Sequence, residues 1–314
     1  MGVAAGYMIF IGMNFMSGLS DLGINPPAFV KLFVVPGLPC LLVLLRTYNF
    51  LARVASIGVF CVFLTITAII IAGPIYSEFQ PIGSLDSVSV SKLPDIAGIA
   101  SFLLCIHPTV ISMAEEAKTR QEMHRVTYWG CFIVVSVNLT LALYGYLLWG
   151  ADVNSYVFCN VKSSWIVTTI KFLLTVELLC SIPLVLKPNS EILEKNMGLE
   201  NGGGLKVECK RNVVRITMVF ASYALTVGVP VFQTMLGLIG GVCASAVGFV
   251  IPPIVHAKLL RDEDKNVKDR KFLIGVDIGV AIMGFIVMGW TAFTSLKQII
   301  ADQKEHAGDN SEEC

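Results

Sequence analysis

The sequence predicts an all-α polytopic membrane protein with about nine transmembrane helices. Of its 314 residues, 55% are hydrophobic and only 15% are charged, whereas soluble domains carry about 25% charged residues. The mean hydropathy is +0.73, and the apolar residues form stretches of membrane-spanning length. The formal net charge is zero, so the composition does not indicate a nucleic-acid partner.

Several stretches approach the roughly 20 apolar residues that cross a bilayer as a helix. The first contains Asn14 and follows the initiating Met, so a cleaved signal peptide is the alternative interpretation. That alternative lacks a basic n-region and a small-residue cleavage site. In chain order, the nine candidate spans cover residues 2–18, 29–45, 54–73, 96–113, 127–149, 165–186, 213–230, 234–257 and 272–295.

The positions of Lys and Arg predict how the spans are oriented, because cytoplasmic loops carry an excess of both residues. Seventeen of the 23 basic residues follow the second, fourth, sixth and eighth spans. These connections are therefore predicted to be cytoplasmic. The first span would then start inside, and the C-terminal tail would end outside the cell or in a lumen.

A His-Pro step, His107-Pro108, interrupts the fourth span at membrane depth. Proline removes a backbone N–H and clashes with the preceding turn, so the helix is expected to open there. Broken backbone is tolerated in a bilayer only where it lines a cavity or is buried by protein. Secondary transporters bind their substrates at such breaks. The step therefore predicts a transporter of small solutes.

The sixth span carries its own polar pattern. Glu177 is a carboxylate well inside the span, and Ser181 lies one helical turn later and shortly before Pro183. A hydroxyl beside carbonyls freed by proline suits a hard cation such as sodium. Glu177 is interpreted as a proton carrier, or as a partner of Lys171 or of a hydroxyl. In the ninth span, Asp277 is expected to pair with the adjacent basic loop.

Small residues recur in the last two spans and predict close helix packing. In the eighth span they are Gly237, Gly240, Gly241, Ala244, Ser245 and Gly248, and in the ninth they are Gly275, Gly279, Gly284 and Gly289.

Several of these motifs together resemble a known family. His107-Pro-Thr-Val110 with Glu115-Glu-Ala-Lys-Thr-Arg120 is similar to the sixth span of the sodium-coupled neutral amino acid transporters, systems A and N. These belong to the amino acid/auxin permease superfamily, which also includes proton-coupled and vesicular members. Leu143-Tyr-Gly-Tyr-Leu-Leu-Trp-Gly150, Ser181-Ile-Pro183 and Gly237 through Pro253 resemble later spans in the same order. The chain departs from the pattern at Ile106, Ser112 and Ala114.

The resemblance implies a five-plus-five inverted-repeat (LeuT-type) transporter fold that is N-terminally incomplete. The family has eleven spans, and this chain would begin at the third. A transmembrane transporter domain would cover residues 1–295, with a partial first repeat at 1–73, a second repeat at 96–257 and a final extra helix at 272–295. A polar, disordered tail would cover residues 296–314.

The function implied is transport of neutral amino acids by alternating access, as a symporter driven by sodium or protons. The half-helix ends around His107 would expose backbone polar groups to a zwitterion, although an interhelical hydrogen bond is the alternative for His107 itself. By resemblance, Ser181 occupies a sodium-ligand position, and the alternative is a serine hydroxyl that bonds back to its own helix. The expected substrate-binding residues are Phe102, Cys105, Ile106, His107 and Pro108, the ion-coupling residues are Ser181 and Glu177, and the gate residues are Glu115, Glu116, Lys118 and Arg120.

Other functions are weighed against this one. A truncated, non-transporting chain that regulates full-length transporters or senses amino acids is the main alternative. Enzyme motifs are missing from the sequence, so the protein is expected not to be an enzyme and to need no cofactor beyond a coupling sodium ion or proton. The expected environment is the plasma membrane or a lysosomal or vacuolar membrane, and the sequence leaves the oligomeric state open.

The nine cysteines do not form a recognisable framework. Most fall within spans, where cysteine is a small apolar filler. Only Cys159 and Cys314 are predicted to face an oxidising compartment, and a bridge between them is weakly indicated. Metal-ligand spacing is missing as well, so no zinc site is expected.

Overall fold

A computed structural model describes residues 1–45, 47–81, 93–103, 106, 107, 110, 114, 119–150, 153, 156–161, 164–199, 204–228, 236–262 and 269–306. The structural statements that follow refer to these residues. Their regular structure is helical, which confirms the all-α prediction.

The helices follow one another with short connections. In chain order they are α1 (Gly2–Asp21), α2 (Ala28–Leu32), a π-helical turn (Phe33–Gly37), α3 (Leu38–Leu42), α4 (Tyr48–Tyr76), α5 (Leu93–Leu103), α6 (Arg120–Trp149), a 3₁₀ turn (Val157–Asn160), α7 (Ser164–Asn196), α8 (Leu205–Gly228), two π-helical segments (Ile239–Ala244 and Ala246–Val250), α9 (Ile251–Asp262) and α10 (Arg270–His306).

Six helices in the described ranges are long and apolar enough to cross a membrane. Their bounds are Gly2–Asp21, Phe50–Tyr76, Gln121–Trp149, Trp165–Asn196, Leu236–Arg261 and Arg270–Lys297. The polytopic membrane protein predicted from the sequence is thereby confirmed.

The other three predicted spans are less complete in the structure. The second is a shorter apolar helix, Phe29–Leu42. The fourth begins as α5, and much of the rest lies outside the described residues. The seventh is α8, which has 24 residues but starts with charged turns.

The last helix extends further than the sequence suggests. We place a polar tail over residues 296–314, whereas α10 continues to His306. Apolar residues at Leu296, Ile299 and Ile300 recur at helical spacing among the polar ones, a pattern that is compatible with a helix.

The described helices form two compact units. The first contains α1 to α4, α6 from His124 onward, α7 and α8, and the second contains α5, residues 236–262 and α10. The division into repeats remains a prediction from the resemblance.

The core of the first unit lies around α1 and α7. Met8 and Ile11 of α1 and Ile182 and Leu186 of α7 are fully buried in one cluster, to which α8 contributes Val219. Lipid tails are as apolar as these side chains, so close van der Waals packing rather than water exclusion stabilises such a cluster.

At Pro74, a side chain from a neighbouring helix supplies the hydrogen-bond donor that a backbone carbonyl lacks. Because proline has no N–H, the carbonyl oxygen of Ile70 loses its α-helical donor. The hydroxyl of Tyr144 on α6 donates to that oxygen at 2.6 Å. At the ends of the same helices, the indole nitrogen of Trp149 donates to the Ser77 hydroxyl at 2.8 Å. These hydrogen bonds join α4 to α6.

The second unit is assembled through close glycine contacts. A Cβ on Gly284 of α10 would lie 2.8 Å from the Phe249 Cβ, and a Cβ on Gly241 would overlap the side chain of Thr291. Separations this short leave no room for a methyl group, so these two glycines set how closely the helices approach. For them, the packing role predicted from the sequence matches the observed contacts.

Candidate functional site

The fourth predicted span is interrupted beside His107. The α5 helix ends at Leu103, Ile106 is not helical, and the Val110 N–H donates to the Ile106 carbonyl at 3.1 Å. A new helical turn therefore starts at Ile106. The interruption falls where the His-Pro step predicts it. Phe102 is half-buried at the end of α5, whereas Cys105 and Pro108 lie outside the described residues.

The His107 ring lies against Gly248 of the second π-helical segment. A Cβ on Gly248 would be 3.3 Å from the ring Cε1 and 3.6 Å from Nδ1. The α-helical donor to the Gly248 carbonyl would be residue 252 and the π-helical donor residue 253, and both are prolines. Neither proline has an N–H. The backbone that faces His107 thus carries a carbonyl that lacks both of its regular helical donors.

A second polar contact joins the same elements. The Ser245 hydroxyl lies 3.2 Å from that of Ser101 on α5 and 3.1 Å from the Gly240 carbonyl. Both serines are buried. The end of α5 and the π-helical region are therefore joined by a buried polar contact.

The π-helical segments were not predicted from the sequence. Such segments are rare, and they often occur at functional sites. The two segments after α8 fall on a glycine-rich run of the sequence, and Pro252-Pro253 follows them directly. Because two consecutive prolines remove two helical donors, the preceding turns must pair differently or leave carbonyls open.

In the first unit, Glu177 and Ser181 meet on α7. The Ser181 hydroxyl donates to Glu177 Oε1 at 2.9 Å, and both residues are half-buried. Pro183 removes the α-helical donor of the Leu179 carbonyl. The proposed ion-coupling residues are thus hydrogen-bonded to each other, with a freed carbonyl nearby.

The neighbouring helices enclose this pair. A Cβ on Gly58 of α4 would lie 3.3 Å from the Glu177 carbonyl oxygen and 3.4 Å from the Cys180 Cβ. Tyr7 of α1 and Cys61 of α4 lie within electrostatic range of the carboxylate. α4 therefore packs closely against the backbone of α7 at Glu177.

Lys171 is not the partner of Glu177. Its ammonium group donates to Asp21 Oδ2 at 2.9 Å and to the Ser17 hydroxyl at 2.7 Å, both on α1. Thr168 donates to the same Asp21 oxygen at 3.0 Å. A cavity of about 20 Å³ beside this cluster, lined by Asn14, Ser17 and Lys171 among others, has room for about one water molecule. The alternative that paired Glu177 with a hydroxyl is the one that the geometry matches.

Most of the predicted gate cannot be placed. Glu115, Glu116 and Lys118 lie outside the described residues, and Arg120 is described only as the first residue of α6. Asp277, expected to pair with the basic loop, instead lies 2.8 Å from His256 Nδ1 on α9. Its partner is on the neighbouring helix because α9 and α10 pack side by side.

A buried ionic network joins α7 to α8 and was not predicted from the sequence. Glu194 of α7 lies 2.7 Å from Arg215 and 3.8 Å from Arg211, both on α8. Arg215 also donates to the Val43 carbonyl just after α3, at 3.4 Å. The charges belong to separate helices, so their partners could not be assigned from spacing along the chain.

Cysteine and metal chemistry are limited within the described residues. Cys159 is disulfide-bonded, and its partner lies outside these residues, so the expected bridge to Cys314 stays a prediction. Six other cysteines are free. The described part of the chain contains no cluster of His, Cys, Asp and Glu that could hold a metal ion.

Comparisons with known proteins add the family. The model of the family described as "Transmembrane amino acid transporter protein" matches residues 1–296. The amino acid transporter ANT1 of Arabidopsis thaliana is 23% identical over 316 residues, which cover 94% of this chain and 70% of that protein. No solved structure matches the chain.

Two further relatives align over a shorter range. The proton-coupled amino acid transporter-like protein pathetic of Drosophila melanogaster is 26% identical over 57% of this chain and 38% of its own length. The vesicular inhibitory amino acid transporter of Xenopus tropicalis is 24% identical over 55% and 35%, respectively. The matched segments thus span less than half the length of these two relatives. The superfamily predicted from the motifs is confirmed, and the relatives are transporters rather than enzymes. The chain is an integral membrane protein that belongs to the transmembrane amino acid transporter family.

Proposed function

We propose that the chain transports neutral amino acids by alternating access, driven by a proton gradient. The interruption at Ile106, where the His107 ring lies against Gly248, a residue whose carbonyl lacks its regular helical donors, is the observation that carries the proposal. A carbonyl and an imidazole nitrogen accept hydrogen bonds from the ammonium group of an amino acid. The backbone N–H groups that start the new turn favour its carboxylate.

The proton would be carried by Glu177. It would be taken up from the outer or lumenal side, held on the carboxylate beside Ser181, and released into the cytoplasm. A carboxylate inside a membrane span is costly and usually serves an ion or proton pathway. One carboxylate, one hydroxyl and the freed Leu179 carbonyl make a small oxygen set for sodium, which prefers several hard oxygen ligands. The printed name of the Drosophila relative, proton-coupled, supports the same choice.

Uptake by the purified chain in proteoliposomes tests transport. We expect radiolabelled neutral amino acids to accumulate under an imposed pH gradient without sodium. His107→Ala should lower uptake, while His124→Ala, which removes an exposed histidine at the start of α6, should not. Pro252→Ala restores a donor to the Gly248 carbonyl and should raise the KM for the amino acid. Saturable binding without uptake would favour the regulatory or sensing alternative instead.

Glu177→Gln tests the coupling. The amide oxygen can still accept from Ser181, but the side chain no longer exchanges a proton. We expect accumulation under a pH gradient to fall to the level without one, while exchange of amino acid across the membrane persists. Glu122→Gln, at an exposed glutamate on α6, serves as the matched control. Accumulation driven by sodium alone, and unchanged in Glu177→Gln, would refute proton coupling and favour sodium at Ser181.

A further inference from the structure

A groove of about 570 Å³ runs between α9 and α10 in the second unit. The lining residues have the same spacing on both helices. Each helix contributes two pairs of adjacent residues that start four positions apart, and then one further residue four positions after the start of the second pair. Seven of these residues are apolar, and three are charged and lie toward one end. The α9 residues are Pro253, Ile254, Ala257, Lys258 and Arg261, and the α10 residues are Asp277, Ile278, Ala281, Ile282 and Phe285.

The two helices run antiparallel, which gives the groove a polar end and an apolar end. His256 meets Asp277, and Arg270 donates to the Arg261 carbonyl at 2.7 Å. A Cβ on Gly284 would contact Phe249. From the first of these contacts to the last along α10, the partner residue lies progressively earlier in the chain, from 261 to 256 to 249. The cationic side chains lie at the loop end, and Phe285 lies toward the other.

The polar end carries a net positive charge. Lys258 and Arg261 are exposed, and neither forms an ion pair with another described residue. Asp277 contributes one negative charge, but His256 already contacts it. Both cations lie in the last turns of α9, where the helix dipole favours positive charge. An anion at this end would therefore meet two cations that no other residue in the described ranges pairs.

We propose that this groove binds an anionic glycerophospholipid. Lys258 and Arg261 hold its phosphate, and one acyl chain lies along the apolar residues of α9 and α10. The lining of α9 from Pro253 to Arg261 extends about 12 Å at 1.5 Å per residue, enough for much of an acyl chain. The positive-inside bias places the cationic end at the cytoplasmic leaflet, which is rich in anionic lipids.

Retention of lipid by the purified chain tests the site. The protein is reconstituted in phosphatidylcholine in which about one lipid in five is phosphatidylglycerol, a level chosen to mimic an anionic leaflet. It is then extracted, and its bound lipids are counted by native mass spectrometry. We expect the wild type to retain phosphatidylglycerol preferentially. In the Lys258→Gln/Arg261→Gln variant, the preference for phosphatidylglycerol over phosphatidylcholine should be about 30-fold lower, because each of the two cations contributes to binding at an anionic surface.

Two further variants keep the proposal falsifiable. Lys206→Gln/Lys210→Gln removes two exposed cations from the start of α8 and should leave retention unchanged. Ala257→Phe fills the groove and should reduce retention of phosphatidylcholine and phosphatidylglycerol alike. An equal loss in both double variants would show a general charge effect and overturn the proposal. Full retention by Ala257→Phe, in a protein with an unchanged unfolding midpoint, would overturn the acyl-chain seat.

Discussion

At the scale of single residues, the most demanding environment belongs to Lys171. This lysine is 3% exposed in the middle of the first unit, within a membrane-spanning helix. Its charge is matched by Asp21 and by the Ser17 hydroxyl, both one helix away. A buried ion pair adds little net stability compared with apolar packing, but removing one partner leaves an uncompensated charge.

Lys171→Met should therefore destabilise the protein by about 1–3 kcal/mol, because the partly exposed Asp21 would lose its counter-ion and the hydrogen bond from it. Combining it with Asp21→Leu should recover most of that loss. Lys297→Met, at an exposed position on α10, is the matched control. Thermal unfolding of the purified variants measures all three. A midpoint for Lys171→Met equal to that of the control would mean that the pair is solvated or dispensable.

Tyr144 has a role that only its partner explains. Its hydroxyl donates a hydrogen bond to the Ile70 carbonyl, which Pro74 leaves without an α-helical donor. Tyr144→Phe should lower stability by about 1 kcal/mol or less. In a Pro74→Ala background, where residue 74 regains its N–H, the same change should have no effect. Unfolding midpoints of the four proteins in this cycle test the coupling, and additive changes would contradict it.

At the scale of elements, the glycines of α10 differ in whether the surrounding structure has room for a larger side chain. Gly284 of α10 faces Phe249 at a separation that excludes a methyl group, whereas nothing lies within 4 Å of a Cβ on Gly279. The two glycines lie on the same helix and look alike in the sequence. Only the packing distinguishes a contact glycine from one that faces open space.

Gly284→Ala should destabilise the second unit by about 1–3 kcal/mol through overpacking. Gly279→Ala should be neutral or stabilising by up to about 1 kcal/mol, since alanine favours a helix. Paired unfolding measurements in one detergent decide between them. Equal midpoints for the two variants would show that α10 shifts freely to accept the added methyl group.

The sequence could predict elements better than contacts. Apolar length locates α4, α6, α7 and α10 because the bilayer demands it of any span. The break before His107 follows from the chemistry of proline. The π-helical segments and the Glu194 network do not follow, since the first depends on how freed carbonyls pair again and the second on which helices become neighbours. The partners of Lys171 and Asp277 differ from the expected ones for the same reason.

At the scale of the whole molecule, the distribution of charge predicts a fixed orientation. Cys209 is free and exposed at the start of α8, on the side predicted to be cytoplasmic. Glu78, an exposed residue after α4, lies on the opposite predicted side. The orientation predicted from Lys and Arg thus places position 78 and Cys209, both accessible to a labelling reagent, on opposite sides of the membrane.

A membrane-impermeant maleimide should label Glu78→Cys from outside sealed vesicles that are oriented as in the cell. Cys209 should react only after permeabilisation, because cytoplasmic loops carry the excess of Lys and Arg. Labelling of both cysteines with detergent present is the control. Reaction of Cys209 in intact vesicles would reverse the proposed direction of proton movement as well.

The overlap between the space of a side chain at Gly241 and that of Thr291 limits how these two positions can evolve. A methyl group added at 241 has no space unless residue 291 becomes smaller, because the two positions share one volume. A larger residue at position 241 therefore requires a smaller one at position 291. Among proteins that share this ancestor, the combined size of the two side chains should be preserved while each varies. The pair should then appear as linked substitutions in a broad sampling of genomes.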